Sequence, residues 1–327
     1  MTTRKTLTAL GVAGLTLIGA DFLAWHVATD RLRAALTAFQ ARAASQGWHL
    51  TAVSEREAGF PVTAALILRE ARLAQTGGFA WRAGRVRIDV SVLRWGVVRI
   101  TADGTQGMTL PGNAPLAFDG PITATVPWRR AATALRFHIG ALRVPTKQGT
   151  LLLRAATATV TRGATETSLA VVAGPVVVPP ALDAGLGPEI SRITLAARLR
   201  PNWPGGNGAA AARDWQGQGG ALRLDRLDLA WGAAWASASG RLGLDDDLQP
   251  VAHLALRLRD KAALLNALVQ SGTISPGAAL AANAVLALLA PAQGDGAALP
   301  VEIKHDRLMA ARIPLARLPH LAWGGGE

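Results

Sequence analysis

Cysteine and tyrosine are absent from this 327-residue chain, and lysine occurs only four times. Without cysteine there is no disulfide framework, no thiol nucleophile and no thiolate metal site. The six histidines are scattered along the chain, and no two have the close spacing of a zinc-binding pair. The composition therefore predicts neither a bound metal nor a cofactor.

Sequence motifs for catalysis are also scarce. The densest acidic cluster, Asp245-Asp246-Asp247, lacks the spacing and the terminal glutamate of a calcium loop, and is typical of a solvated turn between strands. Gly205-Gly206-Asn207-Gly208 lacks the Gly-Lys-Ser/Thr ending of a nucleotide-binding loop. No residue is assigned a catalytic role, and we expect that the protein is not an enzyme. A hydrolase whose carboxylates meet only in three dimensions stays open as an alternative.

One long apolar run is present, from Thr6 to Ala28, and the two cations Arg4 and Lys5 precede it. At 1.5 Å per residue it can cross a hydrocarbon core of about 30 Å. The preceding cations predict a cytoplasmic N-terminus, with the bulk of the chain on the other side. We therefore predict a single-pass membrane protein, with the bulk of the chain outside the cytoplasm. The predicted anchor residues are Leu7, Leu10, Leu15, Leu17, Ile18, Phe22, Leu23 and Trp25.

A cleaved signal peptide is the alternative interpretation of the same run. Ile18-Gly19-Ala20 resembles a cleavage site, and Asp21 is costly within a membrane-spanning helix. An anchor is favoured because apolar residues resume after Asp21, and because Trp25 is suited to a membrane–water boundary.

The formal net charge of +12 is unevenly distributed. Residues 1–150 contain 18 basic and 8 acidic residues, so most of the excess lies in the membrane-proximal half. Arginine binds phosphate well, and Arg31, Arg33, Arg85 and Arg87 are candidate contacts for lipid headgroups. Nucleic acid is not an expected partner, because no continuous basic run or RNA-binding motif is present. A base-composition bias of the genome is the competing explanation for the arginine content.

Alternating patterns after the first 50 residues predict a mainly β protein. Val86, Ile88 and Val90 alternate with Arg85, Arg87 and Asp89, as in a half-buried strand. Similar alternation recurs at 135–139 and 252–258, with glycine and proline between the runs. We predict an extended, curved antiparallel sheet, as a sandwich or half-barrel, with a few short covering helices.

Four regions are predicted along the chain. Residues 1–30 form the anchor, 31–200 a helix and a β-rich region, 201–220 a loop or linker, and 221–327 a second β-rich region with two short helices. The linker divides two subdomains or merely interrupts one sheet.

Three local features are predicted in the last region. The alternation slips at Asp225-Arg226, and a β-bulge there would restore the apolar face. Helices are predicted at 261–270 and 276–290. A hairpin is predicted from Val301 to Leu315, turning at His305-Asp306.

A series of short motifs resembles the opening of a known bacterial family. The motif residues are Gly47, Trp48, Gly59, Phe60, Pro61, Trp81 and Trp95. They resemble domain of unknown function 2125, a family whose members begin with a membrane-spanning helix. The resemblance implies a location and an architecture but no activity. Weaker similarity to AsmA-like envelope proteins, which carry elongated sheets with a lipid-accessible face, is present at residues 239–245, 254–258 and 299–301.

These observations together predict a periplasmic protein, anchored in the inner membrane, that binds lipid or another amphipathic envelope component on a curved sheet. The expected partners are membrane lipid and envelope proteins. The alternative is an envelope assembly or scaffold protein whose sheet binds other proteins.

Overall fold

The structure of the protein is a computed structural model. It describes residues 2–75, 78–91, 96–109, 115–127, 134–146, 148–182, 186–204, 208–232, 234–259, 266, 269, 275–277, 279–280, 283–284, 298–310, 313–321 and 323. The side chains of residues 2–21, 313, 315 and 316 are outside the described set.

The chain divides into two compact units. The first consists of Met1–Leu110 and Pro121–Ala132, and the second of Pro111–Gly120 and Thr133–Glu327. The elements of the first unit are helix α1 (Thr2–Ala44) and strands β1 (Trp48–Thr51), β2 (Ser54–Ala58), β3 (Thr63–Gln75), β4 (Ala80–Ser91), β5 (Val97–Thr109) and β7 (Ile122–Pro127). Strand β6 (Leu116–Phe118) lies between β5 and β7 in sequence and belongs to the second unit.

The sheet of the first unit is antiparallel throughout. Strands β1 and β2 both pair with the long strand β3, which pairs with β4, then β5 and then β7. The alternation predicted at 85–90 is confirmed in β4, where Val86 and Val90 are buried. Helix α1 lies on this face, because Ala28, Leu32 and Leu36 repeat at helical spacing and pack against it.

The second unit contains β6, the remaining strands and one described helix. Its elements are β8 (Ala134–Ile139), β9 (Leu142–Thr146), β10 (Gly149–Leu153), β11 (Ala156–Arg162), β12 (Thr167–Ala173), β13 (Val176–Val177), a 3₁₀ turn at Pro180–Leu182, β14 (Glu189–Arg200), helix α2 (Gly208–Gly217), β15 (Ala221–Trp231), β16 (Ala234–Leu244), β17 (Pro250–Arg259), β18 (Leu299–Lys304), β19 (Arg307–Ala310) and β20 (Ile313–Arg317).

Ten of these strands form one antiparallel series in the order β8, β11, β12, β14, β15, β16, β17, β18, β19 and β20. Strands β9, β10 and β13 form a branch that joins β14, and β6 pairs with β9. The prediction of a mainly β, antiparallel fold with an N-terminal helix is confirmed.

Two local predictions in this unit are confirmed. The pairing of β15 with both neighbours shifts register around Asp225, so the predicted bulge is present. The C-terminal hairpin turns at His305 and Asp306, which have φ values of 50° and 56°. Such left-handed backbone at both central residues is typical of the two-residue turns that match strand twist.

The predicted loop at 201–220 instead contains helix α2, where Ala211, Ala212 and Trp215 are buried. Trp215 also donates a hydrogen bond from Nε1 to the Pro201 carbonyl at 3.0 Å. Strands β14 and β15 on either side pair directly, so this segment interrupts one sheet. The predicted helices at 261–270 and 276–290 lie largely outside the described residues.

Candidate functional site

One side of the ten-stranded series is apolar, and we call it the apolar face. Cross-strand partners place apolar residues or glycine opposite one another from β8 to β19. One row is Leu135, Val160, Leu169, Ala197, Leu224, Gly240, Leu254, Val301 and Ala310; the next is Phe137, Ala158, Val171, Leu195, Leu227, Ala238, Leu256 and Leu299; the third is Ile139, Ala156, Ala173, Ile193, Leu229, Ala236 and Leu258.

The bulge at Asp225 keeps these rows continuous. Side chains in a strand alternate between its two faces, so Leu222 and Leu224 share one face. Without an extra residue between Leu224 and Leu227, Leu227 and Leu229 would lie on the opposite face. The extra residue restores the alternation, and Leu227 lies opposite Leu195. The apolar face therefore depends on one irregular position in β15.

Most large side chains of the apolar face are only half-buried. Phe137, Val171 and Leu195 are intermediate in exposure, and Leu227 is 37% exposed. Burial increases toward β17–β19, where Val269 and Ala279 pack against a cluster that contains Leu258, Leu299, Val301 and Ala310. The β8–β15 part thus presents a broad half-exposed apolar surface.

The opposite face of the same strands is polar and carries several arginines. Arg198 in β14 donates two hydrogen bonds to Asp225, from Nε at 2.7 Å and from Nη2 at 2.8 Å. Arg223 adds an ion pair to the same carboxylate at 3.0 Å. The hydrogen bonds from Arg198 hold the pKa of Asp225 below its usual range, and they raise the pKa of Arg198. The sheet is therefore amphipathic, with one face half-exposed and apolar and the other charged.

In the first unit, aromatic residues link the middle of helix α1 to the loop before β3. The ring of Phe60 lies 5.9 Å from that of Phe22 and 5.7 Å from that of Trp25. Trp25 also donates a hydrogen bond from Nε1 to the Thr63 carbonyl at 3.0 Å. Phe22 and Phe60 are 52% and 48% exposed, and their sequence neighbours Leu23 and Val62 are more exposed still. We call Phe22, Leu23, Phe60 and Val62 the apolar end of the first unit.

Carboxylate partners are seen for Arg33, Arg85 and Arg87, which are among the arginines predicted to contact headgroups. Arg33 pairs with Glu57 and Glu55 on β2, which raises its pKa chiefly through its hydrogen bond to Glu57. Arg85 donates two hydrogen bonds to Asp103 at 2.7 and 2.8 Å, and this contact raises its pKa.

Arg87 lies 3.3 Å from Asp89, and Arg31 is exposed on α1. The role of all four in binding headgroups stays a prediction.

The family-motif residues have structural positions in the first unit. Gly47, with φ of 75°, follows helix α1 and donates a backbone hydrogen bond to Ala44 at 3.0 Å. Trp48 begins β1, and its ring lies 5.1 Å from that of Phe79. Trp81 packs against the core beneath α1.

Gly59 and Phe60 form the loop that contacts α1, and Pro61 follows them. Trp95 lies outside the described residues.

The side chains of the predicted anchor from Leu7 to Ile18 lie outside the described residues, whereas Phe22, Leu23 and Trp25 are described. Among the helices that the structure describes, none combines the length and the apolar character that crossing a membrane requires. Within the same residues, no group of three histidine, cysteine or carboxylate side chains is placed to hold a metal ion.

Sequence reasoning missed two features of the site. The individual alternating strands were visible, but the register that aligns their apolar residues into rows was not. The contact of Arg198 with Asp225 was also missed, although the slip in alternation at Asp225 marked the position.

The fold and the amphipathic sheet define a mainly β protein with a helix packed on its N-terminal unit. The chain belongs to the family described as "Uncharacterized protein conserved in bacteria (DUF2125)", whose model matches residues 25–319. The predicted family resemblance is therefore confirmed, and the similarity to AsmA-like proteins stays a prediction. No curated protein and no solved structure matched the chain.

Proposed function

We propose that this protein is anchored in the bacterial inner membrane and binds the acyl chains of a lipid on the apolar face of its second unit. The observation that carries this proposal is the alignment of apolar residues over successive strands with half-exposed side chains. Apolar surface of this extent is unfavourable in water and marks an interaction site on a protein surface. Acyl chains match it because they are long, flexible and wholly apolar.

The apolar end of the first unit supports the membrane location. Phe22, Leu23, Phe60 and Val62 expose large apolar side chains, and Trp25 lies beside them with its indole N–H satisfied. Aromatic rings are favoured at the level of the headgroups. The apolar run from Thr6 to Ala28 leads directly into this region, so a membrane-inserted segment would place the apolar end close to the lipid surface.

Photocrosslinking at two adjacent valines tests acyl-chain binding. Val171 lies in the second row of the apolar face, whereas Val172 points to the other face and is 46% exposed. A photoreactive amino acid at each position, in the full-length chain in bacterial membranes, provides a matched pair. We expect lipid adducts at Val171 at least tenfold more abundant than at Val172, measured by mass spectrometry of the purified chain.

Equal lipid labelling at the two positions would contradict the proposal, since general membrane proximity would then explain both. Crosslinks from Val171 to a protein, without lipid adducts, would favour the envelope scaffold instead.

A further inference from the structure

The charged face of the second unit contains a row of basic side chains on four successive strands. Arg198, Arg223, Arg241 and His253 lie directly opposite one another on β14, β15, β16 and β17. Adjacent strands are about 4.8 Å apart, so the row extends over roughly 15 Å. Like charges directly opposite one another destabilise a sheet unless an anion compensates them.

The bulge in β15 provides part of this compensation. Asp225 is the unpaired residue of the bulge, and its carboxylate contacts both Arg198 and Arg223. Arg200 and Arg241, in contrast, have no ion-pair or hydrogen-bond partner for their side chains within the described part of the chain. Both side chains are exposed. Asp225 therefore satisfies Arg198 and Arg223, whereas Arg200 and Arg241 are available to a ligand.

These arginines line a depression of about 1080 Å³. Arg198, Arg200, Arg223 and Arg241 contribute four positive charges to its wall, and Glu166 and Asp225 contribute two negative charges. The four arginines and two carboxylates leave a net of two positive charges on this wall. The volume is large enough for a small organic anion and its hydration water.

We propose that this depression binds a phosphate monoester group, held mainly by Arg200 and Arg241. A phosphate monoester carries nearly two negative charges at neutral pH, which matches the uncompensated charge. Guanidinium groups also bind phosphate oxygens in bidentate geometry, which an ammonium group cannot do. The site lies on the face opposite to the apolar face, so this inference does not rest on acyl-chain binding.

Calorimetric titration of the full-length chain in a non-ionic detergent with glycerol 3-phosphate tests the proposal. We expect saturable binding by the wild type and at least tenfold weaker binding by the double variant Arg200→Gln/Arg241→Gln. Acetate, which carries one charge, should bind at least tenfold more weakly than glycerol 3-phosphate. Because both arginines are exposed, the variant should fold normally, and its circular dichroism spectrum checks this.

The matched control is Arg192→Gln/Arg257→Gln, which removes two exposed arginines from the same unit outside the depression. Its affinity should stay within twofold of the wild type. Equal weakening of glycerol 3-phosphate binding by both double variants would overturn the proposal, because the attraction would then be general electrostatics. The absence of binding by the wild type would overturn it as well.

Two sources of the phosphate group are separated by a second titration with dihexanoyl phosphatidic acid below its micellar concentration. Tighter binding than that of glycerol 3-phosphate, which Arg200→Gln/Arg241→Gln abolishes, identifies a lipid headgroup, and equal binding identifies a soluble phosphate ester. Loss of phosphate binding in Arg200→Gln/Arg241→Gln with unchanged lipid adducts at Val171 would support this site independently of the apolar face.

Discussion

At Gly59, both the backbone and the neighbouring atoms require glycine. Its φ of 96° lies in a region that side chains disfavour, and a Cβ atom there would meet the Thr63 carbonyl oxygen at 2.5 Å. The close approach exists because Thr63 donates hydrogen bonds from its amide and its hydroxyl to the Gly59 carbonyl. Gly59 thereby positions Phe60 against helix α1, which gives the family motif a structural role.

We predict that Gly59→Ala lowers the free energy of unfolding of the first unit by about 1–3 kcal/mol through strain and steric overlap. Gly187→Ala is the matched control, because Gly187 has the same φ of 96° but open space around a Cβ atom. Urea titration of the full-length variants, followed by circular dichroism, measures both effects. An equal or larger loss of unfolding free energy in Gly187→Ala would show that overlap with Thr63 does not contribute to the effect of Gly59→Ala.

At the scale of the element, helix α1 is held to the sheet by one narrow apolar stripe. Ala28, Leu32 and Leu36 are buried, and the fully buried Thr29 satisfies its hydroxyl by donating to the Trp25 carbonyl at 2.9 Å. The rest of the helix surface after residue 22 is mostly exposed. The attachment of the helix therefore depends on a few side chains.

We predict that Leu32→Ala lowers the free energy of unfolding by about 2–4 kcal/mol, because it leaves a cavity between the helix and the sheet. Phe39→Ala on the same helix should cost much less, since Phe39 is 47% exposed and Leu32 only 2%. Denaturant titration of both variants gives the comparison. Similar losses would contradict the packing described for α1.

At the scale of the whole molecule, the two units present different chemistry. The first unit exposes an apolar end where the apolar run enters it, and the second carries the apolar face and the charged depression. The aromatic contacts between α1 and the loop at Phe60 include Phe22, directly after Asp21. The C-terminal part of the predicted anchor is thus part of the folded unit.

We predict that the chain recovered from bacterial membranes retains its N-terminal segment. N-terminal sequencing and intact mass measurement of the purified chain test this directly. Extraction should require detergent, whereas high salt alone should release none of the chain. A mature N-terminus at Asp21 would instead identify a cleaved signal peptide and remove the anchor from the proposed function.

Much of the fold could be predicted from local patterns. Alternation at Val86, Ile88 and Val90 predicted strand β4, and the slip at Asp225 predicted the bulge, because side-chain period is a local property of a strand. The helix at 208–217 was missed because the glycine-rich run at 205–208 indicated a loop, although alanine, which follows it, favours helix. It is stabilised by Trp215, whose partner at Pro201 is a tertiary contact.

The sequence alone determined the family, the strand-rich architecture and the apolar run that leads to the proposed location. Only the tertiary structure decided which strands pair and in which register. Register aligns the apolar residues of distant strands into one face, and it brings Arg198, Arg223 and Arg241 side by side. Both candidate sites depend on the register between paired strands, which the pattern within one strand does not encode.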